Sequence, residues 1–272
     1  MAGFDLKEGF YEEREVSEDE LWDAIACVFT SKSKNDASYK FGFLKSILDN
    51  LKYADDDLVL SFDQLFTRFA ELYWNLILEY NLRQKAITKD NRKSAIERVL
   101  LEAKDKYVTD DVRSFDSYPQ SVRSDVSHQV KRKCKIYVVG ALFEDTKHLF
   151  YSFSKKGEWI KLNPRMYSFL CERQDEIEKL NNYEWAHFLG KVNPGYATNE
   201  ILTKYLLKTG HSQMNTTEML IEAEVGRNTI QLIEPNISLD NDEVDEEAMT
   251  LLDDPIALIK LLKKRRGIKS IR

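Results

Sequence analysis

Apolar positions recur at helical spacing through the first half of the chain. Ser17 and Glu20 form a Ser-x-x-Glu capping box. Leu21, Trp22, Ile25, Val28 and Phe29 follow it on one face, so the pattern predicts a helix over residues 17–30. After a polar loop at 31–36, Tyr39, Phe41, Phe43, Leu44, Ile47, Leu48 and Leu51 predict a second helix with a wide apolar face. Residues 54–57 read as a turn. Ser61 and Gln64 form another capping box, opening a longer helix through Phe62, Leu65, Phe66, Phe69, Leu72, Tyr73, Leu76 and Ile77 that is expected to end near Leu82. A fourth helix is expected over 91–107, with Ile96, Val99, Leu100 and Ala103 inward. Residues 110–119 are a connector and 121–133 a short helix. The first 15 residues are polar and expected to be loosely held.

The pattern then changes. Residues 136–143 are rich in β-branched and aromatic types, 149–153 alternate, and 159–162 are short and apolar. Turn signals at Asp145–Thr146 and Lys156–Gly157 separate them, which predicts a three-stranded antiparallel sheet. A sheet this small needs helices on one face. Helices are expected again over 164–180, 182–192 and 198–208, with Pro164 in a first turn. Two short strands around Gly226, at 219–224 and 229–234, precede a flexible boundary near 236–243. The expected class is α+β, mostly α: a helical bundle, a small three-stranded sheet in winged-helix-like order, and a C-terminal extension. The expected units are 1–134, 135–209 and 210–272.

Charge narrows the function. Lys plus Arg is 40 and Asp plus Glu is 46, giving a formal charge of −6. Such a chain is no general polyanion binder, so contact with DNA or RNA requires a local basic patch. No apolar run approaches the ~18 residues of a membrane span, and residues 1–20 carry no apolar signal region. Three widely spaced cysteines, Cys27, Cys134 and Cys171, fit a reducing cytoplasm and no disulfide framework.

The common catalytic patterns are missing. His128, His148, His187 and His211 stand apart from one another and from the cysteines, so no zinc spacing exists. Walker-type, Gly-x-Gly-x-x-Gly and Gly-x-Ser-x-Gly motifs are absent. No cofactor or metal is expected. Cys27 and Cys171 fall in apolar helical patterns and read as structural. Cys134 lies among cations that can lower a thiol pKa. Glu222 and Glu224 could form a metal-dependent nuclease pair, but no lysine follows at the needed spacing, and a solvated face is the simpler reading.

Bases concentrate in two places. Lys131, Arg132, Lys133 and Lys135 surround Cys134 at an expected helix end. They are read either as favoured by the helix dipole or as phosphate contacts near a helix–sheet junction. In the C-terminal stretch, Ile256, Leu258, Ile259, Leu261 and Leu262 form an apolar stripe beside Lys263, Lys264, Arg265 and Arg266. This basic amphipathic segment is read as docking on a partner, contacting nucleic acid, or meeting a membrane surface, the last being weakest because no aromatic anchors it. Eight acids and no base between 240 and 254 can screen it.

Several segments resemble the accessory region of a group of bacterial HNH endonucleases. They are Ser38-Tyr39-Lys40-Phe41-Gly42-Phe43-Leu44-Lys45-Ser46-Ile47-Leu48, Leu72-Tyr73-Trp74-Asn75, and Tyr80-Asn81-Leu82-Arg83-Gln84. Val138 to Phe143, Leu149 to Phe153, Ile160 to Asn163 and Trp185 to Asn193 follow in the same order. The resemblance spans about residues 17 to 200. The nuclease module has an Asp-His pair, a downstream Asn and His, and often Cys pairs; here no Asp-His pair occurs, and after Asn199 the chain has one histidine, His211, and no cysteine, so no catalytic residue carries over. What the resemblance implies is a non-catalytic subunit of a bacterial anti-phage or restriction-type defence complex, binding DNA or RNA and working with an effector ATPase or nuclease. The alternatives are a protein–protein adaptor docking through the C-terminal segment, and a cryptic nuclease. Arg83 is read as a bidentate phosphate ligand or as an intramolecular helix-end contact.

Overall fold

The computed structural model describes residues 6–29, 36–86 and 92–194. The expected strands and helix beyond 195, the pair Glu222 and Glu224, and the C-terminal stripe with its bases all lie outside these residues. Within them the protein is α+β and mostly α.

In chain order the elements are β1 (Glu8–Gly9), α1 (Glu18–Phe29), α2 (Tyr39–Asn50), β2 (Val59–Ser61), α3 (Phe62–Leu78), α4 (Ala95–Tyr107), α5 (Gln120–Asp145), β3 (Tyr151–Ser154), β4 (Trp159–Leu162), α6 (Pro164–Glu172) and α7 (Gln174–Val192). Local chemistry sets most starts. The capping boxes of Ser17 with Glu20 and Ser61 with Gln64 are both made, and Ser94 with Glu97 adds a third at the head of α4. Asn163 caps α6, where Pro164 occupies the first turn. At the end of α3, Asn81 takes a left-handed backbone (φ 52°) and Leu82 N–H donates to Leu76 O, so the helix stops at Leu78 rather than Leu82.

α2 is the centre of the molecule, packed against α3, α5 and α7. Every one of its residues is buried, not only one face. Its polar side chains are therefore paired internally. Lys40 pairs with Asp145, Lys45 with Asp49 and Glu178, and Ser46 donates to Gly42 O. Gly42 leaves room for Tyr73: a Cβ at this position would lie 2.4 Å from the Tyr73 ring. That ring is pinned, its hydroxyl donating to Ser38 O at 2.8 Å. Gly42→Ala is therefore expected to cost about 1–3 kcal/mol by overpacking, read as a lowered denaturation midpoint. An unchanged midpoint would show that Tyr73 can yield.

The predicted strand at 136–143 does not form. Residues 120–145 are one helix. Its buried positions, Val126, Val130, Cys134, Val138, Val139, Leu142 and Phe143, keep helical spacing through the β-branched run. Tertiary packing outweighs β propensity here. The sheet instead has four antiparallel strands in the order β1-β3-β4-β2. Both edge strands come from the amino-terminal half and are short, which suits sheet edges. The stretch expected to be loose thus supplies an edge, with Gly9 tucked against Phe143 and Phe153. A helical region followed by a three-stranded sheet, the basis of the winged-helix reading, is not present. The expected boundary at 134/135 falls inside α5, and one sheet and one core join both sides of it. α5 covers the sheet as expected of a helix partner: Tyr151 donates to Val139 O at 2.6 Å, and the Phe143 and Phe153 rings meet at 5.2 Å.

Candidate nucleic-acid interface

Residues 131–135 lie in the middle of α5, not at its end, so the helix-dipole reading has no basis here. The β3–β4 turn, residues 155–158, packs across this part of the helix. Lys131 donates to Asp63 at 2.7 Å and to Glu158 at 2.6 Å, and Lys135 donates to Glu158 at 2.6 Å. Burial opposes the charge on Lys131, and these hydrogen bonds overcome it and raise its pKa. The bonds from Lys131 and Lys135 hold the Glu158 carboxyl below the usual glutamate range. Glu158 has a left-handed backbone (φ 58°), unusual for a non-glycine residue, and its carbonyl accepts from Phe62 N at 2.8 Å. It joins the turn, α5 and the start of α3.

Two of the four expected phosphate ligands, Lys131 and Lys135, are thus engaged inside the protein. The other two face outward. Arg132 and Lys133 are exposed, and Arg132 donates to Gln129 at 2.9 Å. The turn brings further bases to the same place, which spacing along the chain could not show. Lys155 Nζ donates to Ile136 O at 3.3 Å, Lys135 Nζ to Lys155 O at 3.3 Å, and Lys155 N to Lys7 O at 2.8 Å. Lys7 and Lys156 are exposed beside it. Lys7, Lys131, Arg132, Lys133, Lys135, Lys155 and Lys156 surround one junction, against the acids Glu8, Asp63 and Glu158. Glu8 accepts from Ser154. The result is a local basic surface on an acidic chain, and Ile136 and Tyr137, one turn beyond Arg132 and Lys133 in α5, are exposed.

The Glu158 anchor makes a pH prediction. A carboxyl with a lowered folded-state pKa contributes stability above its unfolded pKa and loses it as pH falls through the folded value. At neutral pH, Glu158→Gln is expected to cost about 1–2 kcal/mol, less than a buried pair because Glu158 is partly exposed. In urea titrations the difference from the unaltered protein should narrow below the usual glutamate range and vanish once Glu158 is protonated. A difference independent of pH would show that charge is not its basis.

Cys134 is fully buried, and burial pushes its thiol pKa up, the opposite of what neighbouring cations would do to an exposed thiol. The bases around it in sequence point elsewhere on the helix. Cys171, expected inside an apolar pattern, is exposed, and Cys27 is half-buried. Arg83 sits elsewhere, on a cleft of about 380 Å³ also lined by Ile77, Lys93, Glu97 and Val192. Its backbone is clamped from both sides, donating to Asn193 Oδ1 at 2.8 Å and accepting from Asn193 Nδ2 at 3.0 Å. Among the described residues no group of three or more His, Cys, Asp or Glu side chains is placed to hold a metal, and no helix is long and apolar enough to cross a membrane.

No family model, curated protein or solved structure matches the chain. The aromatic and aliphatic segments around α2 have a clear packing role. Ser38 donates to Gln84 at 2.8 Å, Tyr73 contacts Trp185 with ring centroids 5.2 Å apart, and Asn181 donates to Phe41 O at 3.1 Å. The segments in α3, α5 and α7 pack on α2 and build the core.

Proposed function

We propose that this chain is a non-catalytic, cytoplasmic subunit of a bacterial defence complex that holds nucleic acid on the basic surface where α5 crosses the β3–β4 turn. The observation that carries this reading is the gathering of Lys7, Lys155 and Lys156 beside Arg132 and Lys133 on a chain of net negative charge. Lys131 and Lys135 fix the turn against the helix, and the exposed bases meet phosphate. The defence role and a partner ATPase or nuclease rest on the resemblance alone. In this reading the C-terminal bases Lys263, Lys264, Arg265 and Arg266 are a second contact, and the stripe from Ile256 to Leu262 meets the partner enzyme.

The test is fluorescence anisotropy of the full-length protein with labelled DNA and RNA. Binding should fall steeply between about 50 and 200 mM salt, as counterion release requires. Binding that ignores salt, or no binding at all, overturns the reading. In that case the adaptor role is examined by co-purification with partner subunits.

A further inference from the structure

We infer that the nucleic acid held here is a single strand, its phosphates on the exposed bases and a base stacked on Tyr137. This rests on the nucleic-acid reading above and narrows it to one class. Ile136 and Tyr137 are 44% and 47% exposed, and few large apolar residues among those described are as open. Each stands four residues beyond an exposed base, Arg132 before Ile136 and Lys133 before Tyr137, so each apolar side chain has a cation one turn away on the exposed side of α5.

A duplex presents phosphates outward and keeps the faces of its bases stacked inside. An aromatic ring amid the cations then gains little. A single strand presents base faces together with phosphates, and the combination of a cationic track and an aromatic platform suits it. Tyr137 is also braced. Its ring lies 6.3 Å from that of Tyr39, which is buried and whose hydroxyl accepts from Ile96 N at 3.0 Å. A ring backed by a fixed neighbour loses less freedom on stacking. Stacking does not use the 2′-hydroxyl, so single-stranded DNA and RNA share the chemistry.

The experiment uses full-length protein and labelled oligo-dT, oligo-U and a mixed-sequence duplex, each about 20 units long, more than common single-strand site sizes. Both single strands are expected to bind about tenfold or more tightly than the duplex. Tyr137→Ala should weaken single-strand binding about tenfold while leaving the salt slope and the duplex affinity unchanged, and Tyr137→Trp should restore it. Tyr137 is exposed, and equal unfolding midpoints show that the variants fold. A tenfold preference for either DNA or RNA with the same Tyr137 dependence supports the inference and selects the source. Equal or tighter duplex binding, or indifference to Tyr137→Ala, overturns it while leaving the nucleic-acid reading standing. Absence of binding to every probe overturns the nucleic-acid reading itself.

Discussion

Lys45→Met is expected to destabilise the protein by about 3–5 kcal/mol, the cost of removing one partner from a buried charge pair. Lys45 is fully buried in α2. Its ammonium lies 2.5 Å from Asp49 and 3.0 Å from Glu178. Asp49 also accepts from Arg68 at 2.6 Å, and Arg68 reaches Glu71 at 2.7 Å. Two cations thus hold three carboxylates across α2, α3 and α7. Without Lys45, Asp49 keeps Arg68, whereas Glu178 loses the cation it faces. The uncompensated charge on Glu178 supplies much of the cost, so Lys45→Met/Glu178→Gln should recover more than about 1 kcal/mol of it, since contacting charges couple strongly. Urea unfolding of the two single variants and the double variant checks this. Strictly additive losses would mean that Lys45 acts through packing volume rather than charge. A natural domain has only about 5–15 kcal/mol in total, so the single variant should lose a large share of its stability.

The second large effect concerns binding. Arg132→Glu/Lys133→Glu/Lys156→Glu is expected to weaken nucleic-acid affinity on the order of a hundredfold or more. The slope of log affinity against log salt should flatten by about 2–3 as three phosphate contacts are lost. All three side chains are exposed, and none belongs to the Glu158 anchor, so stability should change by less than about 0.5 kcal/mol. Reversal of Lys263, Lys264, Arg265 and Arg266 serves as the comparison. If only the tail reversal weakens binding, the α5 surface is not the contact. If both do, the two surfaces act on one ligand. The anisotropy titration at several salt concentrations reads affinity and slope together.

The helix starts at Ser17, Ser61 and Pro164 were legible because capping and first-turn chemistry are local: the residues that satisfy the orphaned N–H groups lie within three positions of each other. The hairpin strands at 151–154 and 159–162 were legible for the same reason, through alternation around a turn. The class, α+β and mostly α, followed from these periods. The run at 136–143 reads as a strand because β-branched and aromatic residues serve both a buried helix and a strand. Only its spacing relative to Val126, Val130 and Cys134 upstream tells the two apart.

Local sequence carries the starts of α1, α3 and α6, the side chains apolar enough to form the core, and the requirement that any polyanion contact be local. Which charges are available depends on packing. Lys131 and Lys133 are two residues apart in one basic run, yet the helix turns the first toward Asp63 and Glu158 and the second toward solvent. Lys45 stands in a helix with a wide apolar face, and only the fold brings Glu178 of α7 to it and Arg68 of α3 to its partner Asp49. Edge strands from residues 8–9 and 59–61 and bases from the turn at 155–156 join partners up to about 150 positions away. Pairing over such separations depends on how the chain folds back on itself, and no window of neighbouring residues encodes it.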